Sequence, residues 1–242
     1  MRLITRISVN TLCAMSLLGL AACGGNSPKE TGPFAGVSGP EVVNKALTRT
    51  NGVKSLRIGL DMTTSDGRVE ADFATSLGGD CTGTMTMGGT GTMEVRKTGG
   101  TVYTKLDEAL LREQSKGEPK ADVDAAVELI AGRWMESKAS DPDTADSIEF
   151  CDLKVLLEEF EAMDNAARKE GPTTVAGKPA LRLTEKDGTE TFTIDVSAED
   201  EPYILRLTAR GGEEPMTMDL SDFDVPVVVE KPAAKDIVDL EQ

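Results

Sequence analysis

Between residues 55 and 104 apolar and polar side chains alternate with a period of two, interrupted at short intervals by glycine-bearing turns. Leu56, Ile58, Leu60 and Met62 point one way, with Arg57, Gly59 and Asp61 between them. After Ser65-Asp66-Gly67, Val69, Ala71, Phe73 and Leu77 continue the pattern against Arg68, Glu70 and Asp72. Cys81, Gly83, Met85 and Met87 alternate with Thr82, Thr84 and Thr86. Beyond Gly88-Gly89-Thr90-Gly91 come Met93, Val95 and Lys97, set against Thr92, Glu94 and Arg96. A strand turns successive side chains to opposite faces, so this segment predicts consecutive antiparallel hairpins with one buried face.

The period then changes. Pro40–Thr50 reads as a helix whose Val42, Val43, Ala46 and Leu47 share a face before Asn51-Gly52 stops it. Asp122–Ala131 places Val123, Ala126, Val127 and Ile130 at helical spacing. Cys151–Met163 does the same with Leu153, Leu156, Leu157 and Phe160. Alternation returns in four further strands through Leu181 and Leu183; Phe192, Ile194 and Val196; Tyr203, Leu205 and Leu207; and Met216, Met218 and Leu220. Pro226 limits Asp222–Val229 to an edge segment. Residues 231–242 read as a polar tail that frays. Strands, then helices, then strands predict an α+β fold: a large curved antiparallel sheet with helices covering one face. A β-sandwich is the alternative, but it leaves the two strong helices flanking Trp134 without a place.

The N-terminus addresses the chain. Arg2 and Arg6 precede a mostly apolar stretch, Ile7–Leu20, which is shorter than the roughly 20 residues a spanning helix needs and fits a signal peptide. It ends in Leu20-Ala21-Ala22-Cys23-Gly24, which resembles the lipobox of bacterial lipoproteins. The resemblance implies removal of residues 1–22, a diacylglycerol on Cys23, and a domain anchored to the cell membrane on its extracytoplasmic face. Residues 23–39 read as the lipidated cysteine and a Gly-, Pro- and Ser-rich tether, and residues 40–230 as one folded domain.

The formal charge of -16 leaves no basic stripe for nucleic acid, and a monomer is expected. Cys13 leaves with the signal and Cys23 is taken by lipid, so Cys81 and Cys151 remain to form a disulfide outside the cytoplasm.

The chain contains no histidine, which removes Ser-His, Cys-His and His-ligated zinc sites. The glycine runs lack the Lys-Ser/Thr of a phosphate loop. Asp141-x-Asp143 with Asp146 and Glu149 departs from a calcium loop where that loop needs Gly and the final Glu. The reading assigns no catalytic residue, metal or cofactor, and the chain is taken as a non-enzyme. What stands out is the inward face. Met62, Met85, Met87, Met93, Met216 and Met218 fall on apolar strand positions alongside Leu60 and Phe73, and methionine suits an adaptable apolar wall. Taken residue by residue, ordinary core packing beneath the helices is the favoured account of them.

The order of elements carries a family likeness. The hairpins contain Asp80-Cys81-Thr82-Gly83-Thr84 and Gly100-Thr101-Val102-Tyr103-Thr104-Lys105. Gly132-Arg133-Trp134-Met135 follows, and Cys151-Asp152-Leu153 opens a helix. This resembles the actinobacterial lipoproteins of the LppX/LprG group, which share the LolA/LolB-type half-barrel. The resemblance implies a sheet whose concave face, covered by helices, encloses an apolar cavity for acyl chains or lipids. The eight residues named above are its candidate lining. A filled core with function through protein contacts is the alternative.

Overall fold

The computed structural model describes residues 32–161 and 167–238. The signal sequence, Cys23, the first part of the tether and Met163 of the third expected helix lie outside them.

Helix α1 (Gly39–Asn51) is capped by Ser38, whose hydroxyl accepts the Glu41 N–H while the Glu41 carboxylate accepts the Ser38 N–H. Val42, Val43, Ala46 and Leu47 are buried on its expected face. The tether does not run free to this cap, because Phe34 is buried in the core and its carbonyl accepts a bond from the Lys169 ammonium at 2.8 Å.

Eleven antiparallel strands form one open sheet: β1 (Ser55–Thr64), β2 (Gly67–Ser76), β3 (Cys81–Met87), β4 (Gly91–Thr98), β5 (Thr101–Leu106), β6 (Trp134–Lys138), β7 (Arg168–Val175), β8 (Lys178–Asp187), β9 (Glu190–Ser197), β10 (Ile204–Arg210) and β11 (Met216–Ser221). Their order is β6-β5-β4-β3-β2-β1-β11-β10-β9-β8-β7, so neighbouring strands are consecutive in the chain except the central pair β1–β11, and two helices are inserted between β5 and β6. A single sheet of this kind with a few helices is an α+β half-barrel, not a sandwich.

The helices sit on the apolar face. Besides α1 they are α2 (Glu108–Gln114), α3 (Lys120–Ile130), α4 (Pro142–Ser147) and α5 (Leu153–Glu161). The main core joins α1 and α5 to Leu56 and Ile58 of β1, Leu183, Ile194, Val196, Ile204, Leu207 and Leu220. A second core gathers Val95, Val102, Ile148 and the Cys81–Cys151 disulfide, which ties β3 to the short 3-10 turn before α5. Helix α2 lies over β4, where Gly91 makes room: a Cβ there would stand 2.6 Å from the Leu110 Cα.

Three sequence expectations change. Leu77 is not part of the buried alternation; β2 ends at Ser76, and Leu77 is 57% exposed in the following turn. Asp222–Val229 is not an edge strand. It leaves β11 through Asp222 and Asp224, both at positive φ, and crosses the sheet as a strap. Ser55 Oγ donates to the Val225 carbonyl and an Arg96 N–H to the Glu230 carbonyl. The strap reaches the far edge, so residues 231–238 are not frayed: the Val238 N–H donates to the Trp134 carbonyl at 2.7 Å, and Val238 is buried.

Candidate functional site

Strand register brings the candidate residues together. In one row, Met85 faces Met93 on one side and Ala71 on the other. Ala71 faces Leu60, Leu60 faces Met218, and Met218 faces Leu207. In the next row Met87 faces Val69, Val69 faces Met62, Met62 faces Met216, and Met216 faces Ala209. Because side chains alternate, all of these lie on the helix-bearing face. Seven of the eight candidates, on β4, β3, β1 and β11, thus form one continuous apolar surface bridged by Val69 and Ala71 of β2.

Burial divides this surface. Leu207 and, beyond it, Ile194 and Leu183 are sealed under α1 and α5. Leu60, Met62, Met85, Met87, Met93, Met216 and Met218 are only half-buried. Phe73 stands apart from them: it is 4% exposed, stacked on Phe150 with ring centroids 4.3 Å apart, and belongs to the packed layer under the 3-10 turn. The half-buried surface therefore lies between α2, over β4, and the α1–α5 pair.

The opposite face is polar and internally paired. Arg182 and Arg206 make two-pronged contacts with Asp195 and Asp219, and Arg57 and Arg68 do the same with Asp72 and Asp61. The Asp195 side chain is fully buried, which its guanidinium partner compensates. Bonds from Arg68 hold the Asp61 carboxyl below the usual range, and bonds from Thr184 and Arg168 do so for Glu170. Carboxylates held this way stay ionised at neutral pH and are poor proton donors.

Two depressions open on that face. One, of about 510 Å³, centres on Gly59 and is walled by Asp61, Glu70, Asp72, Thr84, Arg206 and Asp219. The other, of about 820 Å³, includes Tyr203 and Phe223, whose rings stack at 4.0 Å. Among the described residues no group of three or more Cys, Asp or Glu is arranged to hold a metal ion. No described helix is long and apolar enough to cross a membrane.

The sequence reading missed the packing around Trp134. This ring is 6% exposed and lies beneath Arg96 and Lys105, 4.5 and 4.8 Å from its centroid, at the edge where the strap ends. The apolar Ile237-Val238 pair inside a polar tail was the available signal.

Among solved structures, LprF from Mycobacterium bovis superposes with a TM-score of 0.51 at 14% identity, over 81% of this chain and 97% of LprF. The chain has the half-barrel fold of the LppX/LprG group. The Mycobacterium tuberculosis lipoprotein LppX aligns over 79% of this chain and 97% of its own, at 13% identity and a TM-score of 0.49. No family model matches the chain, and no curated protein matches it in sequence.

Proposed function

We propose that this chain is an extracytoplasmic lipoprotein, anchored through a lipid on Cys23, that binds a lipid or other apolar molecule and catalyses no reaction. The ligand would lie on the surface formed by Leu60, Met62, Met85, Met87, Met93, Met216 and Met218. The observation that carries the reading is the uneven burial of one apolar sheet face. Helices seal its β8–β10 half, while the β4–β3–β1–β11 half keeps a continuous apolar wall with solvent access. An apolar surface left accessible on a folded protein marks an interaction site, and flexible methionine side chains suit ligands of varied shape. The half-barrel fold shared with LprF supports it.

The test is native mass spectrometry of the full-length protein purified from membranes without added detergent, followed by solvent extraction. A recurring apolar species released on extraction supports the reading; consistently empty protein contradicts it.

A second reading, function through protein contacts, draws on a different feature. Leu77 and Val225 are both more than half exposed; the Leu77 N–H donates to the Lys54 carbonyl, and the Val225 carbonyl accepts from the neighbouring Ser55 hydroxyl. Crosslinking in intact cells that captures one protein through this patch would favour it.

A further inference from the structure

Six of the ten methionines of the chain fall into two triangles on the half-buried face. Met85 and Met93 are direct partners across β3–β4, and Met87 follows Met85 two residues along. Met62 and Met216 are direct partners across β1–β11, and Met218 follows Met216 in the same way. Direct cross-strand partners hold their Cβ atoms about 5 Å apart, and residues two apart in a strand are about 7 Å apart on one face. Both triangles are built on the same sequence, Met-Thr-Met, whose spacing puts the two thioethers on one side and the threonine on the other. A methionine side chain has three rotatable bonds, so the three sulfurs of each triangle can turn toward a common point.

Packing alone does not explain the choice of residue. The buried core is built mainly from Val, Leu, Ile, Ala and Phe, and no methionine is among its buried side chains within the described residues, although Met218 and Met93 pack against its margins. Methionine is thus not filling gaps where packing is tightest; it is concentrated where solvent reaches. Leu, Ile or Val would make an equally apolar wall there. Beyond the flexibility that suits an apolar ligand, methionine adds a soft, neutral sulfur donor.

We propose that the two triangles, Met85–Met87–Met93 and Met62–Met216–Met218, are thioether sites for a soft monovalent metal ion, Cu(I). Thioethers select Cu(I) over the harder divalent ions, which take carboxylate, carbonyl or imidazole ligands. Three neutral sulfurs leave the ion its single charge, and the strongly acidic surface raises the local concentration of cations. Binding exchanges solvent ligands for sulfur and involves no change of oxidation state. Cys81 and Cys151 are bonded to each other, so only Cys13 and an unlipidated Cys23 could offer a competing thiol.

The probe is Ag(I), a redox-inert stand-in for Cu(I), titrated into the full chain carrying Cys13→Ser and Cys23→Ser and followed by native mass spectrometry. The expected result is two bound ions. Met85→Leu with Met93→Leu removes one, Met62→Leu with Met216→Leu removes the other, and Met135→Leu, outside both triangles, removes neither. Leucine keeps the wall apolar, so an unchanged unfolding midpoint separates loss of sulfur from loss of fold. The ligand reading is scored separately, by solvent extraction of the wild-type protein, so this assignment can fail while that reading stands. Unchanged Ag(I) binding in both leucine pairs, or wild-type binding no tighter than that of free methionine, overturns it.

Discussion

Cys81 at the start of β3 is bonded to Cys151 in the 3-10 turn before α5, closing a sequence separation of 70 residues. The Cys151 carbonyl also accepts a bond from the buried Thr75 hydroxyl at 2.8 Å, so covalent and hydrogen-bonded ties meet at one point. A loop of this length is worth about 4 kcal/mol through the entropy it removes from the unfolded chain. Cys81→Ala with Cys151→Ala should therefore lower the denaturant midpoint by a stability loss of that order. A midpoint unchanged from wild type would mean that the helical layer is held without the bond.

Gly91 is required for steric reasons. The Cβ of an alanine there would meet the Leu110 backbone at 2.6–2.7 Å, and backbone cannot step aside as a side-chain tip can. Gly91→Ala should cost about 1–3 kcal/mol by pushing α2 off β4. Gly59→Ala is the control: its nearest neighbour is the Asp219 Cβ at 3.8 Å, an ordinary contact, and its melting temperature should stay near that of wild type.

Acid should weaken the fold. Ser38 holds the Glu41 carboxyl low, Arg68 that of Asp61, Lys120 and Arg112 that of Asp124, and Thr184 and Arg168 that of Glu170. In the unfolded chain these groups titrate near pH ~4. Between the folded and unfolded values the unfolded state holds more protons, so their contribution is complete above about pH 4 and disappears as pH falls through the folded values. Melting temperature measured at fixed ionic strength should be level near neutrality and fall progressively below about pH 4. A flat profile down to pH 2 would contradict these pairings.

Trp134 is the only tryptophan, and the C-terminal strap pairs with its backbone through Ile237 and Val238 while Arg96, which also holds the Glu230 carbonyl, lies over the ring. Ending the chain after Lys231 removes that pairing and loosens the edge around the ring. Its fluorescence should shift to the red and the thermal midpoint should drop; emission unchanged from the full chain would show that the strap does not shield the ring.

The hairpins β1–β5 were legible because one face is apolar along them, sealed at Leu56, Ile58 and Phe73 and half-buried at Met62 and Met85, and either degree of burial imposes alternation on the sequence. Strand β7 was not legible. It is an edge strand in which only Val175 is buried, and Gly171 and Pro172 sit beside a register shift. Helix α2 was missed because seven residues with Leu110 and Leu111 adjacent carry too little periodicity. The strap escaped for a related reason: Val227 and Val229 alternate as a strand would, yet the segment makes no ladder, and its path is set by bonds to Ser55, Arg96 and Trp134. For the candidate surface, period-two reading found which residues share a face. It could not tell Phe73, under Phe150, from Met62, because burial depends on where the helices end.

The most direct test of the ligand surface is photolabelling of the full-length protein with a diazirine-bearing fatty acid, with the labelled residues located by peptide mass spectrometry. Labels on Met62, Met87, Met216, Met218 and their immediate neighbours are predicted. Labels confined to the depression at Tyr203 and Phe223, or to the polar face around Gly59, would contradict it.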